Sequence, residues 1–331
     1  MARASKDILQ AACIGFGIPM VLLILAIAFL IPRGEKDPSA GASSPPTAST
    51  SSPQSSIQTY QIPVLVDGQV QTQNIETYIV RVVLAEVPAS FEMEALKAQA
   101  VASRTFALRT CADGQKHGGA VCTSYRCCQA YMTEEAYLQR GWDPDNIARV
   151  QAAVYATAGQ VLTYEGQWIR ATYFACSGGC TESAVTVWGQ DYPYLQSVKS
   201  PGEEETVYYT DTVTFSHQAF QEALGVALSG SAHTWFGTIS YTDSGGVETM
   251  QVGGVVYRGT TLRTLLSLRS TIFEVIVSDT QIVFVTKGYG HRVGMSQYGA
   301  EAMALEGSDY RQILRYYYQN VTLVDNYQKE P

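Results

Sequence analysis

Moving a proton near neutral pH needs an acid that still holds one there, and Glu86 is the residue of this chain best placed to qualify. It ends the apolar run Tyr78-Ile-Val-Arg-Val-Val-Leu-Ala-Glu86-Val-Pro88, which reads as a helix stopped by proline. Residues 90–108 read as a second helix, with Ser90 as N-cap and Glu92 and Glu94 in the first turn, where the helix dipole favours negative charge. A glutamate at the corner between two packed helices is half removed from water. That environment disfavours the anion and makes glutamic acid a proton donor.

A second cluster could hold a metal. His117-Gly-Gly-Ala-Val-Cys122-Thr-Ser-Tyr-Arg-Cys127-Cys128 places four soft or borderline ligands in one Gly-containing loop. Zinc takes four such ligands in a tetrahedron, and a site with all four positions filled by protein is structural. Cys111 is near enough to substitute for one of them, and Cys176 and Cys180 flank Ser177-Gly178-Gly179. An oxidising compartment would also permit disulfides, and the spacing leaves both chemistries open. No HExxH-like motif is present, which argues against a zinc hydrolase.

The elements that must position these groups are legible in outline. Residues 144–156 read as a third helix closed by Gly159, followed by strands at 160–164 and 168–175 around the Glu165-Gly166 turn. A short helix at 216–224 precedes a region of strands at 239–241, 249–252, 255–257, 273–277 and 282–286, interrupted by a small helix at 261–267. Helices at 300–305 and 310–318 close the chain. Helices first and strands later predict an α+β fold, a helical N-terminal part packed with a mostly antiparallel β region. Ala95, Ala98 and Ala102 give the second helix one small face, and Lys97 and Arg104, seven residues apart, share another.

Residues 11–31 carry no charge and are long enough to cross a hydrocarbon core of about 30 Å, which predicts a single uncleaved N-terminal transmembrane anchor after a short cytoplasmic tip (1–10). Residues 32–58 are rich in Ser, Thr, Pro, Ala and Gly and lack aromatics, the composition of a flexible linker. A folded domain is expected over 59–324, with a tail at 325–331. The net charge of −8 and the lack of a basic stripe argue against nucleic acid as a partner. The 21 tyrosines supply flat faces with a hydroxyl, which suit sugar rings.

Three long motifs together resemble one family. They are Glu86-Val-Pro-Ala-Ser-Phe-Glu-Met-Glu-Ala-Leu-Lys-Ala-Gln-Ala-Val-Ala-Ser-Arg-Thr105, then Tyr173-Phe-Ala-Cys-Ser-Gly-Gly-Cys-Thr-Glu-Ser183 followed by Val187-Trp188-Gly189 and Pro193-Tyr-Leu-Gln-Ser-Val198, and finally Gly288-Tyr-Gly-His-Arg-Val-Gly-Met-Ser-Gln-Tyr-Gly-Ala300. In this order, across about residues 60–322, they resemble the stage II sporulation protein D family, which is related to the amidase-enhancer domain. The resemblance implies a membrane-anchored lytic transglycosylase that cuts peptidoglycan glycan strands, preferring those lacking stem peptides, at the septum of a sporulating cell during engulfment. It implies a membrane-anchored sporulation amidase as partner and a single-pass cell-membrane location with the domain outside the cytoplasm. The family's catalytic glutamate matches Glu86, and its zinc site matches His117, Cys122 and Cys128, with Cys127 where a histidine is expected. Arg292 stands where glycine is common. Around Glu86 the expected glycan contacts are Tyr173, Ser177, Gly178 and Gly179, with the amides of Gly178 and Gly179 bonding sugar oxygens, together with Lys97, Arg104, His291 and Gln297. The alternative reading is a non-catalytic glycan-binding module that stimulates a peptidoglycan amidase.

Overall fold

A computed structural model describes residues 60–326. The expected anchor and linker lie outside the described residues, and no described helix is long and apolar enough to cross a membrane.

Strands β1 (Gln61–Val66) and β2 (Gln69–Asn74) form an antiparallel hairpin. Its turn, Asp67-Gly68, has positive φ at both positions, as a two-residue hairpin turn requires. The Asn74 side chain then accepts from the N–H groups of Glu76 and Thr77 and caps α1 (Ile75–Glu86). Val87 is extended ahead of Pro88, so the helix ends at Glu86 as the sequence indicates. The next helix, α2 (Met93–Asp113), starts later than expected. A turn closed by Phe91 N–H donating to the Pro88 carbonyl (3.1 Å) intervenes, so the N-cap position falls to Glu92 and Ser90 stays exposed. Short β3 (Val121–Cys122) adds to β1 in parallel, and α3 (Glu134–Gln139) and α4 (Pro144–Ala156) start from Thr133 and Asp143 caps. One core joins β1, α1, α2 and α4 through Val64, Ile79, Val83, Leu96 and Val150.

Strands β4 (Val161–Tyr164) and β5 (Gln167–Trp168) turn at Glu165-Gly166, both at positive φ. The single strand expected over 168–175 is instead two pieces in two sheets. The chain bends where Thr172 N–H donates to the Arg170 carbonyl (2.8 Å), and β6 (Tyr173–Phe174) leaves the β4–β5 hairpin. Helix α5 (Ala184–Trp188) follows a Ser183 cap. Next comes a lobe of β7 (Thr210–Ser216), α6 (His217–Leu224), β8 (Phe236–Tyr241), β9 (Val247–Val252), β10 (Val255–Arg258), α7 (Gly259–Leu265), β11 (Ile272–Val277) and β12 (Gln281–Lys287). Its two antiparallel sheets run β10-β9-β8 and β11-β12-β7 around a separate core of Phe220, Trp235, Met250, Leu262 and Phe284.

The last segment returns to the first half. Strand β13 (Met295–Ser296) pairs in parallel with β6, and Ser296 caps α8 (Gln297–Leu305). Fully buried Ala98 and Ala102 on α2 share a core with Ala300 of α8, the close approach that small side chains permit. A capping box of Asp309 and Gln312 starts α9 (Tyr310–Tyr317), and β14 (Thr322–Val324) closes the sheet β14-β4-β5. The fold is mixed α+β, with helices and several small, mostly antiparallel sheets.

Candidate active-site cleft

Glu86, at the last turn of α1, lines a cleft of about 900 Å³. Its carboxyl is half-buried, and Oε1 accepts from Ala130 N–H at 2.7 Å and lies 3.5 Å from the Tyr173 hydroxyl. Burial pushes its pKa up, while the bonds from Ala130 N–H, Gln297 and Tyr173 hold the rise back. Burial thus shifts the balance toward the protonated form, and the site still offers donors to the anion once it forms.

A hydrogen-bonded chain fixes the direction of those donors. Tyr78 OH donates to Gln129 Oε1 (3.1 Å), and Gln129 Nε2 donates to the Tyr173 oxygen (2.8 Å) and to the Ser103 carbonyl (3.2 Å). Because Gln129 fills an acceptor position on the phenol, the phenol's own proton is aimed at Glu86. Burial, followed by the nearby Glu86 charge, raises the Tyr173 pKa well above its ordinary value, so it remains a neutral donor. Sequence reasoning found Tyr173 and missed Gln129 and Ala130. Their one local signal is that they directly follow Cys127-Cys128.

His291 and Gln297 both line the cleft. The His291 ring sits between Phe174 and Trp188, with centroids 5.6 and 5.3 Å away, and its Nδ1 accepts from Val293 N–H at 3.1 Å. Burial, then the charge of Arg263, lowers its pKa to about 4, so the ring is neutral near neutral pH. Phe106, Tyr208, Tyr289 and Tyr298 complete an aromatic lining that suits sugar faces.

Five expected contacts are not brought to the cleft. Arg104 is fully buried and ion-paired with Glu76 (2.5 Å), and it also donates to the carbonyls of Gln160 and Val154. It ties α1, α2 and α4 together. Lys97 pairs with Glu94 (2.6 Å) and lies over the Tyr310 ring. The segment 177–179 faces a buried carboxylate in place of a sugar. Glu203 Oε2 accepts from Ser177 N–H (2.9 Å), Ser177 Oγ (2.7 Å) and Gly178 N–H (3.1 Å), while Gly179 N–H donates to Ser177 Oγ (2.9 Å). Glycine at 178 answers to positive φ and to the Lys287 backbone, whose carbonyl carbon would lie 2.9 Å from any Cβ. Arg292 takes a positive φ of 66°. It is fully buried, ion-paired with Glu182 (3.2 Å), and donates to the carbonyls of Ser177, Cys180 and Ser244.

The side-chain atoms of His117, Cys122, Cys127 and Cys128 lie within 4.8 Å of one another. Tetrahedral zinc, with Zn–S about 2.3 Å and Zn–N about 2.0 Å, would set sulfur–sulfur edges of about 3.8 Å and sulfur–nitrogen edges of about 3.5 Å. The Cys127–Cys128 separation of 3.9 Å and the His117 Nε2–Cys127 separation of 3.3 Å fit those edges. Cys127 thus stands where it could serve as a ligand at the position where histidine was expected. Cys111, Cys176 and Cys180 are free thiols outside this group. The ligand loop forms one wall of the cleft through Lys116, Tyr125, Arg126, Cys127 and Cys128, and it ends in the Ala130 N–H that reaches Glu86.

A family model described as a stage II sporulation protein, SpoIID, matches residues 67–164. The chain is 38% identical over 270 residues to a stage II sporulation protein D of Bacillus amyloliquefaciens, covering 79% of this chain and 78% of the relative. It is 35% identical over 319 residues to that of Bacillus subtilis (strain 168), covering 92% of each. A protein named amidase enhancer from the same strain is 28% identical over 295 residues, which cover 72% of this chain and 39% of that protein.

Proposed function

Because the chain belongs to the stage II sporulation protein D family, we propose that it is a lytic transglycosylase of peptidoglycan in which Glu86 serves as both acid and base. The observation that carries the reading is a half-buried carboxyl with a raised pKa, in an aromatic cleft that, among the described residues, no second carboxylate lines. Hydrolysis by the usual route needs two carboxylates, one as acid and one as nucleophile or as base for water. With one, the nucleophile must come from the substrate. Protonated Glu86 gives its proton to the glycosidic oxygen as the bond from the muramyl C1 breaks. The C6 hydroxyl of the same sugar attacks C1, closes a 1,6-anhydro ring and returns its proton to Glu86. No water is consumed, and the intramolecular attack gains from proximity.

The chain's own groups suit both halves of that cycle. Burial holds the proton at the start. Ala130 N–H, directly bonded at 2.7 Å, and the Tyr173 hydroxyl steady the carboxylate between its two steps. Zinc would be held by His117, Cys122, Cys127 and Cys128, and when bound it supplies structure only, since four protein ligands leave no position for substrate. In the same reading the domain acts beside the membrane, held by residues 11–31, on strands from which an amidase has removed stem peptides.

The test is to incubate the protein with denuded glycan strands and analyse the products by mass spectrometry. The wild type should release 1,6-anhydromuramyl ends, and Glu86→Gln should release none. The likeness to an amidase enhancer favours a second reading, a glycan-binding module that stimulates an amidase. Absence of anhydro products from wild type, with strand binding and amidase stimulation intact, would establish that one.

A further inference from the structure

The cleft is charged against the rest of the protein. The chain carries a net charge of −8, yet among the described residues the lining holds the cations Lys116, Arg126, Arg170 and Arg263 against one carboxylate, Glu86. Three of these cations have local reasons to be there. Lys116 Nζ donates to the Cys127 carbonyl at 2.7 Å on the ligand loop. Arg126 is exposed and lies over Tyr125. Arg170 pairs with Asp113 at 3.0 Å.

Arg263 is accounted for only in part, at its Nε. It stands in the last turn of α7, half-buried, close enough to His291 for its charge to act on that ring. Its Nε donates to the Arg269 carbonyl at 3.1 Å, which fixes the plane of the guanidinium. Among the described residues no carboxylate pairs with it and its only hydrogen bond is the one from Nε, so the two Nη groups remain available on the cleft wall. A half-buried guanidinium without a counter-ion is unfavourable in the free protein, and its planar fork matches a carboxylate in two parallel bonds.

We propose that Arg263 is a specificity-determining residue that takes the free lactyl carboxylate of an N-acetylmuramyl unit in a two-bond ion pair. The proposal rests on the reading of the cleft as a glycan site. It supplies a physical reason for choosing stripped strands. While a stem peptide is attached, the lactyl group is an amide: it is neutral, cannot pair with the cation, and leaves the guanidinium uncompensated on binding. Removal of the peptide creates the anion that the site lacks.

The experiment measures retention of the full-length chain, carrying Glu86→Gln so that strands are not consumed, on two immobilised polymers. One is denuded glycan with free lactyl carboxylates, and the other is the same glycan with those carboxylates converted to primary amides. Adding Arg263→Gln should weaken retention on the carboxylate polymer by about tenfold or more and leave the amide polymer unchanged, with Arg263→Lys intermediate because a point charge replaces the fork. Equal loss on both polymers would reduce Arg263 to a structural role through its bond to Arg269, and no loss on either would remove it from recognition. Both outcomes overturn the proposal. The two readings also fail separately. A carboxylate-dependent difference without anhydro products from wild type would sink the transglycosylase and keep Arg263, and products without that difference would do the reverse.

Discussion

Replacing Glu203 with glutamine should destabilise the protein by about 2–4 kcal/mol, and the figure follows from how its two oxygens are bonded. Oε2 accepts from Ser177 N–H, Ser177 Oγ and Gly178 N–H, so it must remain an oxygen. Oε1 accepts from the hydroxyls of Ser200 (2.8 Å) and Ser296, which can rotate. An amide nitrogen at Oε1 could donate to both hydroxyls, whose protons would turn toward Tyr317 OH and the Ala175 carbonyl, each already within 3.3 Å. Glutamine therefore fits, and what it loses is charge. Bonds to a charged acceptor contribute about 1 kcal/mol more than neutral ones, and three at Oε2 make about 3 kcal/mol. Relief from burying an anion offsets part of this, but the anion here has its full set of donors and the buried Arg292 cation close by. Glu203→Ala should lose more, because Ser177 N–H and Gly178 N–H are left without an acceptor at about 1–3 kcal/mol each, with a cavity added. Urea denaturation measures both as a lower midpoint at unchanged slope. A Glu203→Gln protein as stable as wild type, or an alanine variant no worse than the glutamine one, would refute the argument that 177–179 is held by this carboxylate.

Glu86 makes a pH prediction of definite sign. With its pKa raised in the fold, the native state holds more proton than the unfolded chain between the ordinary glutamate value of about 4.3 and the raised one, so stability falls as pH rises through that window. Glu86→Gln should consequently be more stable than wild type at neutral pH, with the gap closing below about pH 4 in pH-resolved thermal melts. Wild-type turnover should decline on the alkaline side as Glu86 loses its proton. Elemental analysis should find one zinc per chain. Chelation should lower the melting temperature and speed hydrogen exchange at Ala130 N–H, and Cys180→Ser should do neither, since Cys180 lies outside the ligand group. Arg104→Met should lower stability by about 3–5 kcal/mol by stranding buried Glu76, measured by denaturant midpoint, whereas Lys97→Met should change it by less than about 1 kcal/mol.

What the sequence determined about this protein by itself was local. Pro88 ends α1 at Glu86, four candidate ligands within one loop stay close together wherever the loop goes, and the patterning of α4 and of the β lobe needs no distant partner. Tyr173 and Gln297 were found because they sit in motifs dense with chemistry. Only the tertiary structure decided where each charge and donor ends up. Helical spacing puts Lys97 and Arg104 on one face, but Glu76, 28 residues before Arg104, makes Arg104 a buried ion pair. The amides of Gly178 and Gly179 look free for a sugar until Glu203, 25 residues after Gly178, accepts from the first and the Ser177 hydroxyl accepts from the second. Arg292 looks like bulk added to a glycine loop until Glu182 and three distant carbonyls surround it. Helix stops and loop ligands arise from neighbours along the chain. Desolvation and pairing depend on which atoms crowd a group in space, and packing alone sets that.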